Sequence, residues 1–324
     1  MAPVDPATLS FGQQMSEKAL ELKQKELSLD KSVGKQIALY LNDLSPLSIY
    51  KNNSTTLQKI KSRTIFHGTV QSLVIKVPYF RESYQTGENV WTTMISVLPN
   101  TIILALSSIL IASIIGIFLG IVAALKKDTW LDGFIISLST LGYSVPSYVS
   151  AILLSLIFGF YLKDWTGLNM QGSLLTLNDL GDELTQWKNL ILPSIALGVR
   201  PVAVITQISR NAMLGVMSKP FVLTARSKGL TTKQLVGRHV FKNMMNPVVT
   251  TISGWFAALL AGAFFVESIF NYNGMGLLTV NSLLNYDTPL LLGCIILVAS
   301  IFIVLNLLID LVYLYLDPKI RISQ

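Results

Sequence analysis

The sequence predicts an all-α protein, a polytopic bundle of transmembrane helices, and three observations carry that expectation. The 324-residue chain is 51% hydrophobic and only 13% charged, with a mean hydropathy of +0.55. Five windows stay apolar over the roughly 20 residues that a helix needs to cross the hydrocarbon of a bilayer. They are Val97 to Leu125, Gly133 to Leu162, Asn189 to Ile208, Val248 to Phe270 and Thr288 to Leu316. These runs are continuous where the strands of a membrane barrel would alternate, which excludes a β-barrel.

Before the first window the signals are weak. Residues Ala7 to Tyr40 read as short helices, with leucines spaced among charges. Asn42 to Gly68 is polar and loop-like, and Leu73 to Tyr84 is too mixed to assign a strand. The expected organisation is an extracytoplasmic segment over 1–96, a transmembrane domain over 97–317 that contains a cytoplasmic loop at 210–246, and a cytoplasmic tail at 318–324. Charge sets the orientation, because Lys and Arg concentrate in loops on the inner side. Lys126 and Lys127 follow the first window, a basic loop follows the third, and Lys319 and Arg321 follow the fifth, so these belong inside. The stretch Lys163 to Lys188 holds Asp164, Asp179, Asp182 and Glu183 and belongs outside. Five spans then place the N-terminal segment outside, although nothing before Val97 resembles a signal peptide. The formal charge of +7 is largely accounted for by these loops, so no nucleic-acid partner is expected.

Inside the windows a few residues stand out. Pro146 removes a backbone hydrogen bond and should kink the second span between Tyr143 and Tyr148, with Ser144 and Ser147 available for the freed carbonyls. A flexible wall of a translocation path and an ordinary transmembrane proline both fit. Arg200 is the only charge in the third window, so it faces the bundle interior, a cavity or a partner, unless the span ends early and the side chain snorkels. Glu267 closes the fourth window at a water-facing helix end, where structural and functional roles are equally open. Asp310 lies near the end of the fifth window, where with Asp317 just past it at the cytoplasmic interface an ion pair is favoured over a proton relay. The single Cys294 can form no intrachain disulfide.

The basic loop Ser218 to Pro247 is the most informative segment. It carries Arg226, Lys228, Lys233, Arg238 and Lys242 and no acidic residue. Ser218 reads as an N-cap with Pro220 in the first turn, and Gly229 as the C-terminal glycine of a helix from about Lys219 to Lys228. A second helix starts with Thr231 as N-cap and Gln234 three residues on, the spacing of a capping box, and is expected to end near Asn246 because Pro247 follows. From composition alone, the favoured reading of the first helix is a basic amphipathic helix lying on anionic lipid.

No catalytic constellation is present. His67 and His239 fall on opposite sides of the expected membrane, so no histidine pair serves a metal or a triad. No phosphate-binding G-x-x-x-x-G-K-[ST] run occurs, and Gly274-Met275-Gly276 lacks the rest of a dinucleotide fingerprint. We therefore expect no catalytic residues, no metal and no cofactor, with energy supplied by another subunit.

The run Thr224-Ala225-Arg226-Ser227-Lys228-Gly229-Leu230, followed by Arg238-His239, Asn243 and Pro247, resembles the "EAA" loop of ABC-importer permeases of the dipeptide/oligopeptide/nickel family. Four further landmarks are similar and stand in the family's order: Ser144-Val145-Pro146-Ser147-Tyr148, Leu192-Pro193-Ser194, Phe265-Val266-Glu267-Ser268-Ile269-Phe270, and Asn306 to Asp310 with Leu316 to Arg321. The resemblance covers most of the chain from about Pro78. One departure is that Leu223-Thr224-Ala225 stands where the general pattern has a glutamate before two alanines. Pro220-Phe221 likewise replaces the usual acidic residue and aromatic. Family members begin with one more transmembrane helix and a PGDPA-like motif, whereas this chain starts Met1-Ala2-Pro3-Val4-Asp5-Pro6-Ala7. We expect that helix upstream of Met1; the alternative is a five-span protein.

The resemblance implies a multi-pass subunit of the bacterial inner membrane, with an ABC type I importer permease fold. It implies half of a transmembrane path for di- or oligopeptides, paired with a second homologous permease, two ABC ATPases and an extracytoplasmic solute-binding protein, in contact with membrane lipid. Phe221, Val222, Thr224, Ala225, Arg226, Lys228, Gly229 and Leu230 would form the coupling surface. Phe221, Val222 and Ala225 would supply its apolar contact. Ser144, Pro146, Ser147, Arg200 and Glu267 are path candidates. The rivals are an ion-coupled secondary transporter of small solutes, which would need more ionisable groups within the spans, and a membrane-embedded hydrolase.

Overall fold

In the computed structural model, residues 30–52, 56–57, 60, 62–177 and 183–316 are described, without the side chains of 177, 183, 261–262 and 312–316. The helices expected over 7–29, Asp179, Asp182, Asp317 and the tail at 318–324 lie outside the described residues. The chain divides into two compact units, Met1–Ser96 with Leu278–Ile296, and Val97–Leu277 with Leu297–Gln324.

In the first unit, helix α1 (Val33–Leu44) precedes strands β1 (Leu47–Lys51), β2 (Ser62–His67) and β3 (Gln71–Lys76). These form an antiparallel sheet of order β1-β3-β2, with Leu47 opposite Ile75 and Arg63 opposite Ile75. This sheet is an addition to the helical bundle in a region read as loop. Its buried face carries Ser48, Tyr50, Ser72, Val74 and Lys76, while Leu47, Ile49 and Ile75 are exposed. Asp43 organises the buried polar groups. Its carboxylate accepts from Tyr50 Oη at 2.8 Å and from Arg81 Nε at 2.7 Å, and its carbonyl accepts from Lys76 Nζ and Tyr79 N. Burial pushes the nearby Tyr40 phenol up to about 12, so it stays neutral near pH 7. Elsewhere in this unit Asp287 accepts from Ser83 Oγ and, at 3.2 Å, from Tyr84 N.

The second unit is helical apart from one short hairpin. Among the described residues of the chain, three helices are long and apolar enough to cross a membrane: α2 (Val90–Leu125), α6 (Lys188–Met217), and the part of α12 (Thr288–Leu316) up to Leu311; α2 up to Ser96 and α12 up to Ile296 are counted with the first unit. Two bent pairs make up to five spans. Helices α3 (Trp130–Ser144) and α4 (Ser147–Leu154), the latter running through a π-turn to Tyr161, meet at 102°. Between Tyr161 and α6 lie α5 (Lys163–Thr166) and the hairpin β4 (Leu175–Leu177) and β5 (Glu183–Thr185). After α7 (Pro220–Ser227), α8 (Thr232–Leu235) passes through a π-turn at Val236–Val240 into α9 (Phe241–Gly262). Helix α10 (Phe264–Phe270) leaves that line at 59°, and α11 (Met275–Leu284) follows, its residues from Leu278 onward counted with the first unit.

Three boundary expectations are corrected. The helix does not end near Asn246: Pro247 sits inside α9. In a membrane segment, stopping would leave several backbone groups without partners, whereas one proline forfeits a single bond. The third span does not stop at Ile208 but runs to Met217, so Arg210 is a second charge within it. The fourth span breaks at Ala263 rather than running unbent to Phe270.

Between lipid-embedded helices apolar burial gives little drive, so association depends on close packing through small residues. Gly116 and Gly120 of α2 provide that closeness. A Cβ on Gly116 would lie 2.9 Å from Ile205 Cβ, and one on Gly120 would lie 2.5 Å from Ser209 Cβ and 2.6 Å from the Thr206 carbonyl. Gly120→Val should therefore force α2 and α6 apart at a cost of about 1–3 kcal/mol. A lowered unfolding temperature in detergent checks this, and an unchanged one would refute the crossing. The core around it joins Leu104, Ile109, Leu197, Ile205, Val266 and Phe270.

Candidate functional site

The basic loop is built as a short helix held against the bundle. Lys219 takes the N-cap conformation, one residue later than the expected Ser218, and Pro220 occupies the first turn, where its missing N–H costs nothing. Helix α7 follows α6 with no slack: Ser218 N donates to the Leu214 carbonyl and Lys219 N to that of Val216. It ends at Gly229, whose φ of +84° is the left-handed conformation the sequence suggested. The capping box is also present. Thr231 Oγ accepts from Gln234 N at 3.4 Å, and Gln234 Oε1 accepts from Thr231 N at 3.0 Å.

The two faces of α7 differ from expectation. Val222 is 3% exposed and Ala225 8%, and both pack into a cluster with Ala124, Met213, Val216, Leu235, Val240 and Met244. They anchor the helix to its own chain and do not present an outward apolar contact, because i and i+3 share the inward face. The outward apolar residues are Phe221, 42% exposed, and Leu223, 55% exposed. Thr224 is exposed, and its hydroxyl donates to the Pro220 carbonyl. Arg226, Lys228, Lys233, Arg238 and Lys242 are all exposed, and none forms an ion pair among the described residues. Leu230 is half-buried.

Arg200, near the middle of α6, meets the residue that precedes Ser144 at the break of the second span. The helix break falls where the proline was expected: Val145 caps α3, Pro146 caps α4, and the Ser144 hydroxyl donates to the Thr140 carbonyl at 2.9 Å. Ser144 and Pro146 are exposed and Ser147 half-buried. The Arg200 guanidinium lies over the ring of Tyr143, at 5.2 Å, and over that of Trp255, at 6.0 Å, an arrangement in which ring faces attract the cation. Its Nε is buried without a hydrogen-bond partner. Tyr148 meets Phe265 edge-on at 6.2 Å, which brings α4 against α10.

Glu267 is not at a water-facing helix end; it is fully buried. Its carboxylate accepts from Thr101 Oγ at 2.8 Å, Gly276 N at 2.7 Å and Leu277 N at 3.1 Å. Thr101 Oγ in turn accepts from Met275 N at 2.8 Å. The free N–H groups that open α11 are thus capped by side chains from two other helices. Asn100 Nδ2 donates to the Asn273 carbonyl at 2.7 Å, and Tyr272 Oη donates to the Asn100 carbonyl at 3.2 Å. Burial pushes the Tyr272 phenol up, which keeps that proton in place. A Cβ on Gly274 or Gly276 would run into the Glu267 carboxylate. The sequence reading marked Glu267 but missed Asn100 and Thr101, since polar residues beside Pro99 in an apolar span were the only signal.

It also missed a buried ion pair. Arg210 of α6 holds Asp132 of α3 bidentately, Nε to Oδ1 at 2.6 Å and Nη2 to Oδ2 at 2.6 Å. An acid at the start of one apolar helix and a base near the end of another were the available clue.

Comparison with known proteins agrees with this architecture. Residues 116–322 match the family model described as "Binding-protein-dependent transport system inner membrane component". Among similar proteins is the Di/tripeptide transport system permease protein DppB of Pseudomonas aeruginosa, 33% identical over 255 residues that cover 74% of this chain and 76% of the relative. The dipeptide transport system permease proteins DppB of Haemophilus influenzae and Bacillus subtilis are 34% and 32% identical, with 75% and 70% of this chain covered and 77% and 69% of the relatives. A chain of the MetNI methionine ABC transporter, solved in inward-facing conformations, shares the fold with a TM-score of 0.57 at 12% identity, over 70% of this chain and 97% of that one. The protein is thus a multi-pass membrane permease component, and the chain belongs to the family of binding-protein-dependent transport system inner membrane components.

Proposed function

We propose that this permease forms half of the path of an ATP-driven peptide importer in the bacterial inner membrane. It would pair with a second, similar permease, two ATPase subunits and an extracytoplasmic binding protein. The observation that carries the reading is α7: an eight-residue helix tied to α6 without slack, closed by Gly229 and the capping box, with Phe221, Leu223 and exposed cations outward. A rigid element of that kind can pass movement from a cytoplasmic ATPase into the membrane helices. The chain itself has no phosphate-cradling motif, so nucleotide chemistry falls to the partners. Peptides are the favoured solute because the relatives above are named as peptide or dipeptide permeases.

In this reading Phe221, Thr224, Arg226, Lys228, Gly229 and Leu230 serve the ATPase interface, with Val222 and Ala225 fastening the helix from behind. Ser144, Pro146, Ser147 and Arg200 would line the path, and Glu267 would serve it by capping α11. Segment 1–96 would be extracytoplasmic, 97–317 the transmembrane domain with its loop at 210–246, and 318–324 a cytoplasmic tail. Phe221→Ala removes the larger outward apolar contact and should cut the yield of ATPase subunits copurifying with the permease several-fold, since truncating an interfacial aromatic costs roughly 1–2 kcal/mol or more. Recovery at the normal ratio would remove α7 from the interface.

A further inference from the structure

We infer that the Asp132–Arg210 pair is a positioning device that makes α3 move with α6, so that displacement of the coupling helix reaches the helix break at Pro146. The inference rests on the proposed ATP-driven function. Arg210 lies seven residues before the end of α6 at Met217, and α7 begins three residues after Met217. Its two nitrogens hold both oxygens of Asp132 at 2.6 Å, with Arg210 20% and Asp132 6% exposed at the side chain. The planar guanidinium fork fixes direction as well as distance. Asp132 is itself held, because Asp128 N donates to its Oδ2 at 3.1 Å from a turn in which Asp128 takes a φ of +60°. The carboxylate also sits in the first turn of α3, where the helix dipole favours it.

One contact would form a pivot, but α3 is fastened twice. At its far end Gly142 packs against Val199 and Ala203, and the Tyr143 ring lies under the Arg200 guanidinium at 5.2 Å. Arg200 and Arg210 are ten residues apart, and Tyr143 and Asp132 eleven, about 15 Å and 16 Å along their axes. The two helices therefore run side by side with matched fastenings, and α3 cannot slide or swing independently. The next freedom in the chain is the 102° bend where α3 meets α4. Movement entering α6 from α7 is delivered to that bend, beside Ser144 and Ser147. Gly120 seats α2 on the same turn of α6, against Ser209 and Arg210 N, which keeps the Arg210 turn from yielding.

The test uses the reconstituted complex with its ATPases and binding protein, reading uptake of a labelled dipeptide per ATP hydrolysed, normalised to assembled complex. Asp132→Asn should lower that ratio about fivefold or more, the scale of a typical coupling between distant sites. Arg210→Lys, which keeps the charge but loses the fork, should fall between. The decisive variant replaces both partners, Asp132→Leu with Arg210→Met. A pair serving only stability is nearly dispensable when neither charge is left alone, so assembly should recover. The inference requires that uptake per ATP stays low even so. Normal coupling in the double variant, or in an assembled Arg210→Lys or Asp132→Asn protein, overturns it. A wild-type complex that takes up no peptide on ATP addition overturns the importer reading as well, so the two failures are distinct.

Discussion

Gly229→Val leaves the protein inserted in the membrane and abolishes ATP-driven uptake. The glycine has a φ of +84°, and a Cβ placed there would meet nothing within 4 Å, so the constraint is on the backbone alone. A left-handed conformation costs an L-residue roughly 1–2 kcal/mol, and a β-branched side chain is worse. The turn that closes α7 then competes with continued helix, and Phe221, Leu223 and Arg226 lose their fixed direction relative to α8. Gly229→Asn is the control, since asparagine tolerates the left-handed region best among side-chain residues. Uptake per ATP should drop by more than tenfold with valine and by only a few-fold with asparagine. Equal behaviour of the two would refute the role of the turn.

Glu267→Ala should be the most destabilising single change in the bundle. It removes the acceptor for Gly276 N, Leu277 N and Thr101 Oγ, all buried, and leaves the first turn of α11 uncapped. Each orphaned donor costs about 1–3 kcal/mol, so a total of roughly 3–5 kcal/mol is expected. Purified in detergent, the variant should unfold at a markedly lower temperature. Glu267→Gln, which keeps one acceptor oxygen, should recover much of the loss. A Glu267→Ala protein that unfolds normally but transports poorly would return Glu267 to the translocation path and remove it from the cap.

Much of this was legible in the chain, for identifiable reasons. Apolar windows of adequate length mark spans whatever their detail, so their number and order emerge from composition. The strongest local signals also held, because they depend on covalent geometry: Pro146 breaks the helix, Gly229 turns left-handed, and Thr231 with Gln234 closes a capping box. Pro247 shows the limit of the same reasoning, since a proline that would end a helix in water stays inside one where unpaired backbone is costlier. The sheet was illegible because its inner face mixes polar and apolar residues. Ser48, Ser72 and Lys76 point inward beside Tyr50 and Val74 while Leu47, Ile49 and Ile75 point outward, so burial does not follow hydropathy. The roles of Asp132, Arg210, Asn100 and Thr101 depended on which helices lie side by side, and spacing along one chain does not carry that. For α7, sequence supplied the helix but only packing showed that Val222 and Ala225 face the chain's own core.

The decisive experiment is uptake of a labelled dipeptide by vesicles that hold both permeases, with the binding protein supplied, compared with and without the ATPase subunits. Uptake should require the ATPases and ATP, and should fall when Phe221→Ala weakens their attachment. Full uptake by the permeases alone would mean that α7 transmits no force and that the chain works as an independent carrier.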